Sequence, residues 1–87
     1  METQEQEVGV VKHYYNHLNV AGIVVTKGTI KVGDKLHFKG HTTDFQEAVD
    51  SIEMDHHLVD EAKPGDDVGI KVVGKCREHD KVYKMLG

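Results

Sequence analysis

The sequence predicts an all-β fold, a single six-stranded antiparallel β-barrel. Three observations point to it. Short apolar runs rich in β-branched and aromatic residues recur along the 87 residues, each bounded by turn-forming residues. Several of these runs alternate apolar and polar positions, the period of a strand with one face inward. Finally, six short strands with little helix must bury one face and hide their edges, and closing the sheet on itself does both.

Val8 to Tyr15 (VGVVKHYY) reads as the first strand, and the asparagines of Asn16-His17-Leu18-Asn19 tolerate the geometry of a reversal. Val20 to Thr26 is the second strand, with Gly22 inside it marking a bulge or a close backbone approach. The stretch from Gly22 to Gly40 organises the chain. Ile23-Val24-Val25 favours a pleated, half-buried strand. Gly28 and Gly33 supply positive φ for a broad connection, with Ile30 and Val32 between them expected to plug one barrel end. Lys35 to Lys39 alternates and forms the third strand, with Leu36 and Phe38 inward. Phe45 to Met54 fits a helical stripe as well as a strand; the surrounding strands favour a bent strand with a bulge between Val49 and Ile52. Asp55 to Lys63 is polar and suits a short helical turn. Pro64-Gly65-Asp66 is a turn. Asp67 to Val73 alternates cleanly, with Val68, Ile70 and Val72 on one face. Gly74 to Asp80 is a loop and Lys81 to Leu86 the last strand.

The length fits one domain, with residues 1–7 as a disordered acidic N-terminus and residues 8–87 as the barrel. A chain this short buries roughly 60% of its unfolded surface, so its core is small. The lone cysteine, Cys76, permits no intramolecular disulfide and favours a reducing, cytoplasmic setting. No apolar run approaches the roughly 20 residues of a membrane helix, and METQEQE has neither the basic nor the apolar region of a secretory signal. The net charge of −4 is unevenly spread. Residues 1–7 carry −3, residues 8–43 carry +4, residues 44–67 carry −8 and residues 68–87 carry +3. A modest basic face follows if the first and last strands are neighbours, with a mixed solvated surface as the alternative.

The order Gly22, Val25, Gly28, Ile30, Val32-Gly33-Asp34, Leu36 resembles the second domain of translational GTPases, the barrel that follows the G domain in elongation factor Tu and initiation factor two. Residues 52–70, IEMDHHLVDEAKPGDDVGI, resemble without a gap the elongation factor Tu run VEMFRKLLDEGRAGENVGV. The resemblance covers residues 8–86. KGHTTDF looks most like small stand-alone translation elongation factor-like proteins, and is also similar to barrels at the C-terminus of some proteins classed as peptidases. The resemblance implies a barrel of the domain-two type. No phosphate loop is present, since Gly40-His41-Thr42-Thr43 lacks the lysine that reaches the phosphates. GTP is therefore not an expected ligand.

In elongation factor Tu the Glu-Met-Phe-Arg run helps hold the aminoacylated 3′ end of tRNA. Glu53 and Met54 match it, whereas Asp55 stands where the family has Phe and His56 where it has Arg. Asp55 neither stacks a base nor attracts phosphate. His56 and His57 can stack or donate instead, so Glu53, His56 and His57 are candidate RNA contacts, with a plain polar loop as the alternative. Lys12, Lys39, Lys71, Lys75 and Arg77 are the candidate phosphate contacts, and binding through them would weaken with salt. Tyr14 or Tyr15, whichever points outward, is a candidate stacking platform; Phe38 reads as core. The pairs His13/His17, His37/His41 and Cys76/His79 have ligand-like spacing. They run from strands into turns, where that spacing loses its meaning, and no metal or cofactor is expected.

The resulting expectation is a non-enzymatic binding module for tRNA or ribosomal RNA. The alternative is a protein-docking module that presents the acidic segment 44–67 to a basic partner. A small metal-binding or catalytic protein is the weakest reading, because no motif carries chemistry.

Overall fold

The computed structural model describes residues 4–86. Among them there are ten β-strands and no helix: β1 Glu5–Tyr15, β2 Val20–Val25, β3 Ile30–Lys31, β4 Lys35–Lys39, β5 Asp44–Ala48, β6 Ile52–Met54, β7 His57–Val59, β8 Glu61–Ala62, β9 Asp67–Lys71 and β10 Lys81–Met85. Eight pair in the order β5-β4-β10-β1-β2-β9-β6-β7, and β3 with β8 forms a separate ribbon. Every pairing is antiparallel. The fold is all-β, as expected, but the strand count is ten rather than six, and the ladder leaves β5 and β7 as edges. Backbone hydrogen bonds from the β3–β4 connection span that gap: Val32 N donates to Asp60 O (3.1 Å) and Gly33 N to Val49 O (2.9 Å).

The central strand β1 carries two register shifts, one near Val8 against β10 and one at Lys12 against β2. An extra residue on one strand bends it and increases its twist, which curls the sheet around its apolar face. The bulge expected at Gly22 therefore sits across from it, on β1. Gly22 serves the close approach instead: a Cβ there would lie 3.2 Å from His13 O.

Alternation fills the core. Val68, Ile70 and Val72 are buried, as are Leu36 and Phe38, Ala21, Ile23 and Val25, and Val82 of β10. Phe38 stacks on Phe45 with ring centroids 4.9 Å apart. Burying such a side chain contributes about 1.5–3 kcal/mol. Of the two residues expected to plug one end, Ile30 is buried in the core, but Val32 is 44% exposed, because it follows Lys31 out of the short β3 ribbon.

Three further expectations are corrected. The acidic N-terminus is ordered from Glu5, where β1 pairs with Met85 of β10; residues 1–3 lie outside the described residues. The bent strand Phe45–Met54 is two strands, since Val49 leaves the ladder to bond the backbone of Gly33 and Asp34. The helical turn expected over Asp55–Lys63 is a hairpin arm and ribbon, β7 and β8. Asp55 and His56 take φ of 53° and 66° between Met54 and His57, which are paired. Two consecutive left-handed residues make the two-residue turn whose twist matches a hairpin.

Candidate functional site

The outer face of five neighbouring strands carries one transverse row of paired residues. His13 of β1 faces Gly22 of β2, Gly22 faces Gly69 of β9, Gly69 faces Glu53 of β6, and Glu53 faces Leu58 of β7. The two glycines leave bare backbone between His13 and Glu53. Three strand spacings separate those two residues, roughly 14 Å of sheet. The result is an open groove of about 600 Å³.

Its walls differ in chemistry. On one side stand His13, Tyr15, Leu18 and Val20. His13 and Tyr15 share a face of β1 and meet edge to face with ring centroids 4.5 Å apart. On the other side stand Glu53 and the turn residues Asp55 and His56. Lys12 and Asp67 close one end as an exposed ion pair at 3.4 Å. Three carboxylates thus border a largely apolar groove whose single lysine is already paired. This charge suits a neutral or cationic group rather than a phosphate. The flat floor admits a planar ring or an extended chain, the aromatic pair offers a stacking edge, and the Glu53 carboxylate accepts hydrogen bonds without donating any.

The expected contacts are only partly brought together. Glu53, His56 and Lys12 border the groove. His57 does not: it pairs with Met54, so it lies on the opposite face of the β6–β7 hairpin from Glu53. Lys71 sits in the next outward row, opposite Val20. Lys39 is on β4, across from Lys81 of β10 and remote from the groove. Lys75 and Arg77 border a separate concavity of about 420 Å³, beside Tyr14, Asn16, Thr42 and Cys76. The single basic face expected from the sequence is therefore divided. Of the two tyrosines, Tyr15 is the outward one at 47% exposure, while Tyr14 packs against the core.

The sequence reading missed His13, Leu18, Asp67 and Gly69 as groove residues. One signal was available. Gly69 alternates with Val68 and Ile70, so it had to face outward, and an outward glycine beside another marks a bare strip of sheet.

The histidine and cysteine pairs do not converge. His13 Nδ1 lies 3.3 Å from Glu78 Oε2. His37 contacts Glu5 through Nδ1 at 2.9 Å and Asp44 through Nε2 at 2.5 Å. Cys76 is buried, and burial, with the nearby Asp80 carboxylate, pushes its thiol up to about 11. Such a thiol stays protonated near neutrality and is a poor nucleophile or ligand. Among the described residues, no group of three or more His, Cys, Asp or Glu side chains is placed to hold one metal ion. No helix among them is long and apolar enough to cross a membrane.

Comparison with known proteins places the fold in a family. The elongation factor Tu domain 2 family profile matches residues 19–82, which includes Gly22, Glu53 and Gly69. An uncharacterized protease of Methanocaldococcus jannaschii is 37% identical over 80 residues, 91% of this chain and 19% of that protein. A collagenase of Porphyromonas gingivalis is 30% identical over 83 residues, 94% of this chain and 23% of that protein. The chain thus spans about a fifth of the length of the curated relatives it matches. The C-terminal domain of a U32 peptidase family protein from Geobacillus thermoleovorans superposes with a TM-score of 0.84 at 21% identity, covering 91% of each chain. Its selenomethionine variant gives 0.82 at 20% identity, covering 88% of this chain and 96% of that one. At that identity the two structures speak to the fold alone. The chain belongs to the elongation factor Tu domain 2 family.

Proposed function

We propose that this chain is a non-catalytic module that binds RNA of the translation apparatus, with the 3′-terminal nucleoside of a tRNA seated in the groove. The observation that carries the reading is the glycine floor between the His13–Tyr15 aromatic pair and Glu53. A base lies flat over Gly22 and Gly69 with its edge toward the aromatic wall. Edge-to-face aromatic contact of this kind contributes about 0.5–1.5 kcal/mol. Glu53 then accepts from the 2′- and 3′-hydroxyls, a pair of donors that only the end of an RNA strand presents together. The acids around the groove disfavour internal phosphates and so favour an end over a passing strand. Such a role belongs in the cytoplasm and needs neither GTP nor a metal.

The test compares a short RNA ending in free 2′- and 3′-hydroxyls with the same RNA carrying a 3′-phosphate. The free end should bind at least tenfold more tightly, about the effect of one charge-assisted hydrogen bond. Glu53→Gln, which preserves shape, should erase that preference. Equal binding of both ends, unchanged in the variant, removes the reading.

A second reading has its own support. Glu53, Asp55 and Asp67 border the groove, and Leu58 beside Glu53 is 78% exposed. An acidic rim around apolar surface fits a basic protein segment, and the relatives named as proteases carry this domain within longer chains. Docking of that kind would be lost on charge reversal at Asp55, Asp60 and Glu61 and would ignore the RNA end.

A further inference from the structure

We infer that the concavity between the end of β1, the β4–β5 turn and the loop after β9 is a phosphate-binding site, with Lys75 and Arg77 as its cations. It lies apart from the groove and has the opposite electrostatic character. Tyr14, Asn16, Thr42, Lys75 and Arg77 border it together with the buried Thr43 and Cys76, and none of the lining side chains is acidic. Arg supplies a planar fork that matches two phosphate oxygens, and Lys adds a point charge. Asn16 and Thr42 are exposed and carry further donors.

The loop that presents the two cations is fixed. Cys76 between them is buried at 3% exposure, which anchors the loop in the core and turns Lys75 and Arg77 outward. Asp80 is buried too, and its Oδ2 accepts from Arg77 N at 2.7 Å. Asp80 N donates to Arg77 O at 3.1 Å, so the turn is bonded twice across its ends. His79 N donates to Val11 O, and Val11 N to Asp80 O, both at 2.8 Å. Gly74 lies against the Phe45 ring, where a Cβ would approach to 2.8 Å. Cations held on a rigid loop lose little freedom on binding, which favours affinity.

The acids nearby are otherwise engaged. Glu78 is turned to His13, and Asp80 is committed to the turn. Lys12, Lys81 and Lys84 each meet a carboxylate, whereas among the described residues neither Lys75 nor Arg77 forms an ion pair. In a chain of net charge −4, two neighbouring cations on a concavity that no carboxylate lines form a local site for an anion.

The two concavities flank the same strand end. Tyr14 and Tyr15 are consecutive on β1 and point to opposite faces. An RNA whose terminal nucleoside lies in the groove passes the Asn16–Asn19 turn and brings an upstream phosphate to Lys75 and Arg77. That source of the phosphate rests on the RNA reading; the site itself does not, since a free phosphate compound presents the same chemistry.

The experiment follows amide shifts and affinity with two probes, inorganic pyrophosphate and a single-stranded RNA of about eight nucleotides, within the footprint of a small barrel. The wild type is compared with Lys75→Ala/Arg77→Ala and with Lys35→Ala/Lys63→Ala as a charge-matched control. All four side chains are exposed, and an unchanged spectrum away from the substitutions verifies folding. Pyrophosphate should shift the amides of Thr42, Lys75 and Arg77 in the wild type and the control, and lose these shifts in Lys75→Ala/Arg77→Ala. The RNA salt slope should fall by about 0.7 in that variant, the effect of one phosphate contact on a single strand. Pyrophosphate shifts scattered over other lysines, or retained in the variant, overturn the site. RNA that binds in the groove with an unchanged slope, while pyrophosphate binds at the loop, keeps the site and removes RNA as the source of its phosphate. Pyrophosphate binding at the loop without any RNA binding keeps the site and removes the RNA reading.

Discussion

Gly22 and Gly69 stand directly opposite each other in the β2–β9 ladder, and together they clear the outer sheet face of side chains between His13 and Glu53. This relationship separates stability from binding. A Cβ at Gly69 meets only Val20 Cγ1, at 3.2 Å. Gly69→Ala should therefore change stability by less than about 1 kcal/mol, the reduced freedom of the unfolded chain offsetting a small shift of Val20. It raises the groove floor, so RNA binding should weaken several-fold. Urea unfolding and RNA titration of the same sample check both halves. Gly9→Ala is the contrast: its Cβ would lie 2.7 Å from Val24 O and 2.9 Å from Ile23 Cγ2, and a loss of about 1–3 kcal/mol is expected.

The Asp80 carboxylate occupies the space a side chain at residue 40 would need, since a Cβ on Gly40 would overlap Asp80 Oδ1. Gly40→Ala should cost about 1–3 kcal/mol. Asp80→Ala leaves Arg77 N without its partner, at about 1–3 kcal/mol. Asp80→Asn keeps an acceptor and should cost less. Chemical denaturation of the three variants gives the order.

His37 gives the protein a stability that depends on pH. Both ring nitrogens meet carboxylates, which only accept when ionised, so both nitrogens carry protons. The hydrogen bond to Asp44 raises the His37 pKa above its ordinary value, burial opposes it and Glu5 adds to it. The same bond lowers the pKa of Asp44, against the effect of its own desolvation. A histidine whose pKa is raised by folding stabilises the fold fully below its unfolded value, about 6.5, and loses that contribution as pH rises through the folded value. A carboxyl whose pKa is lowered contributes above its unfolded value and loses this as pH falls through the folded one. The cluster is therefore strongest between about pH 4 and 6.5. The excess stability of wild type over His37→Gln should shrink as pH is raised from about 6 to 9. A constant difference across that range, measured by urea midpoints, would count against the cluster.

His56 holds a left-handed conformation at φ 66°, which costs a residue with a Cβ roughly 1–2 kcal/mol. His56→Gly should raise stability by about 1 kcal/mol in thermal or urea unfolding. Because His56 also borders the groove, the same change should weaken RNA binding. A variant that gains stability with binding intact would show that the histidine serves the turn alone.

Much of the fold was legible because strand alternation reports burial directly: Leu36 and Phe38, and Val68, Ile70 and Val72, are all buried. The β6–β7 hairpin was not, because neither Asp55 nor His56 is the glycine that usually marks such a turn. The break at Val49 depends on backbone bonds to Gly33 and Asp34, which local periodicity does not contain. Likewise, Glu5 is remote in sequence from His37. For the groove, Glu53 and His56 were legible through the family's tRNA-end motif, whereas His13 and Gly69 joined them only through strand register. Charge counts alone grouped Lys39 and Lys71 with Lys75 and Arg77, although the sheet separates them.

The most direct measurement is an amide-shift titration of labelled protein with tRNA bearing a free 3′ end, at about 50 and 200 mM salt. Aromatic edge contact and hydrogen bonding in the groove depend little on salt. The account predicts shifts at Gly22, Glu53 and Gly69 that persist at the higher concentration. Shifts spread over the lysines and erased by salt, or no shifts at all, would contradict it.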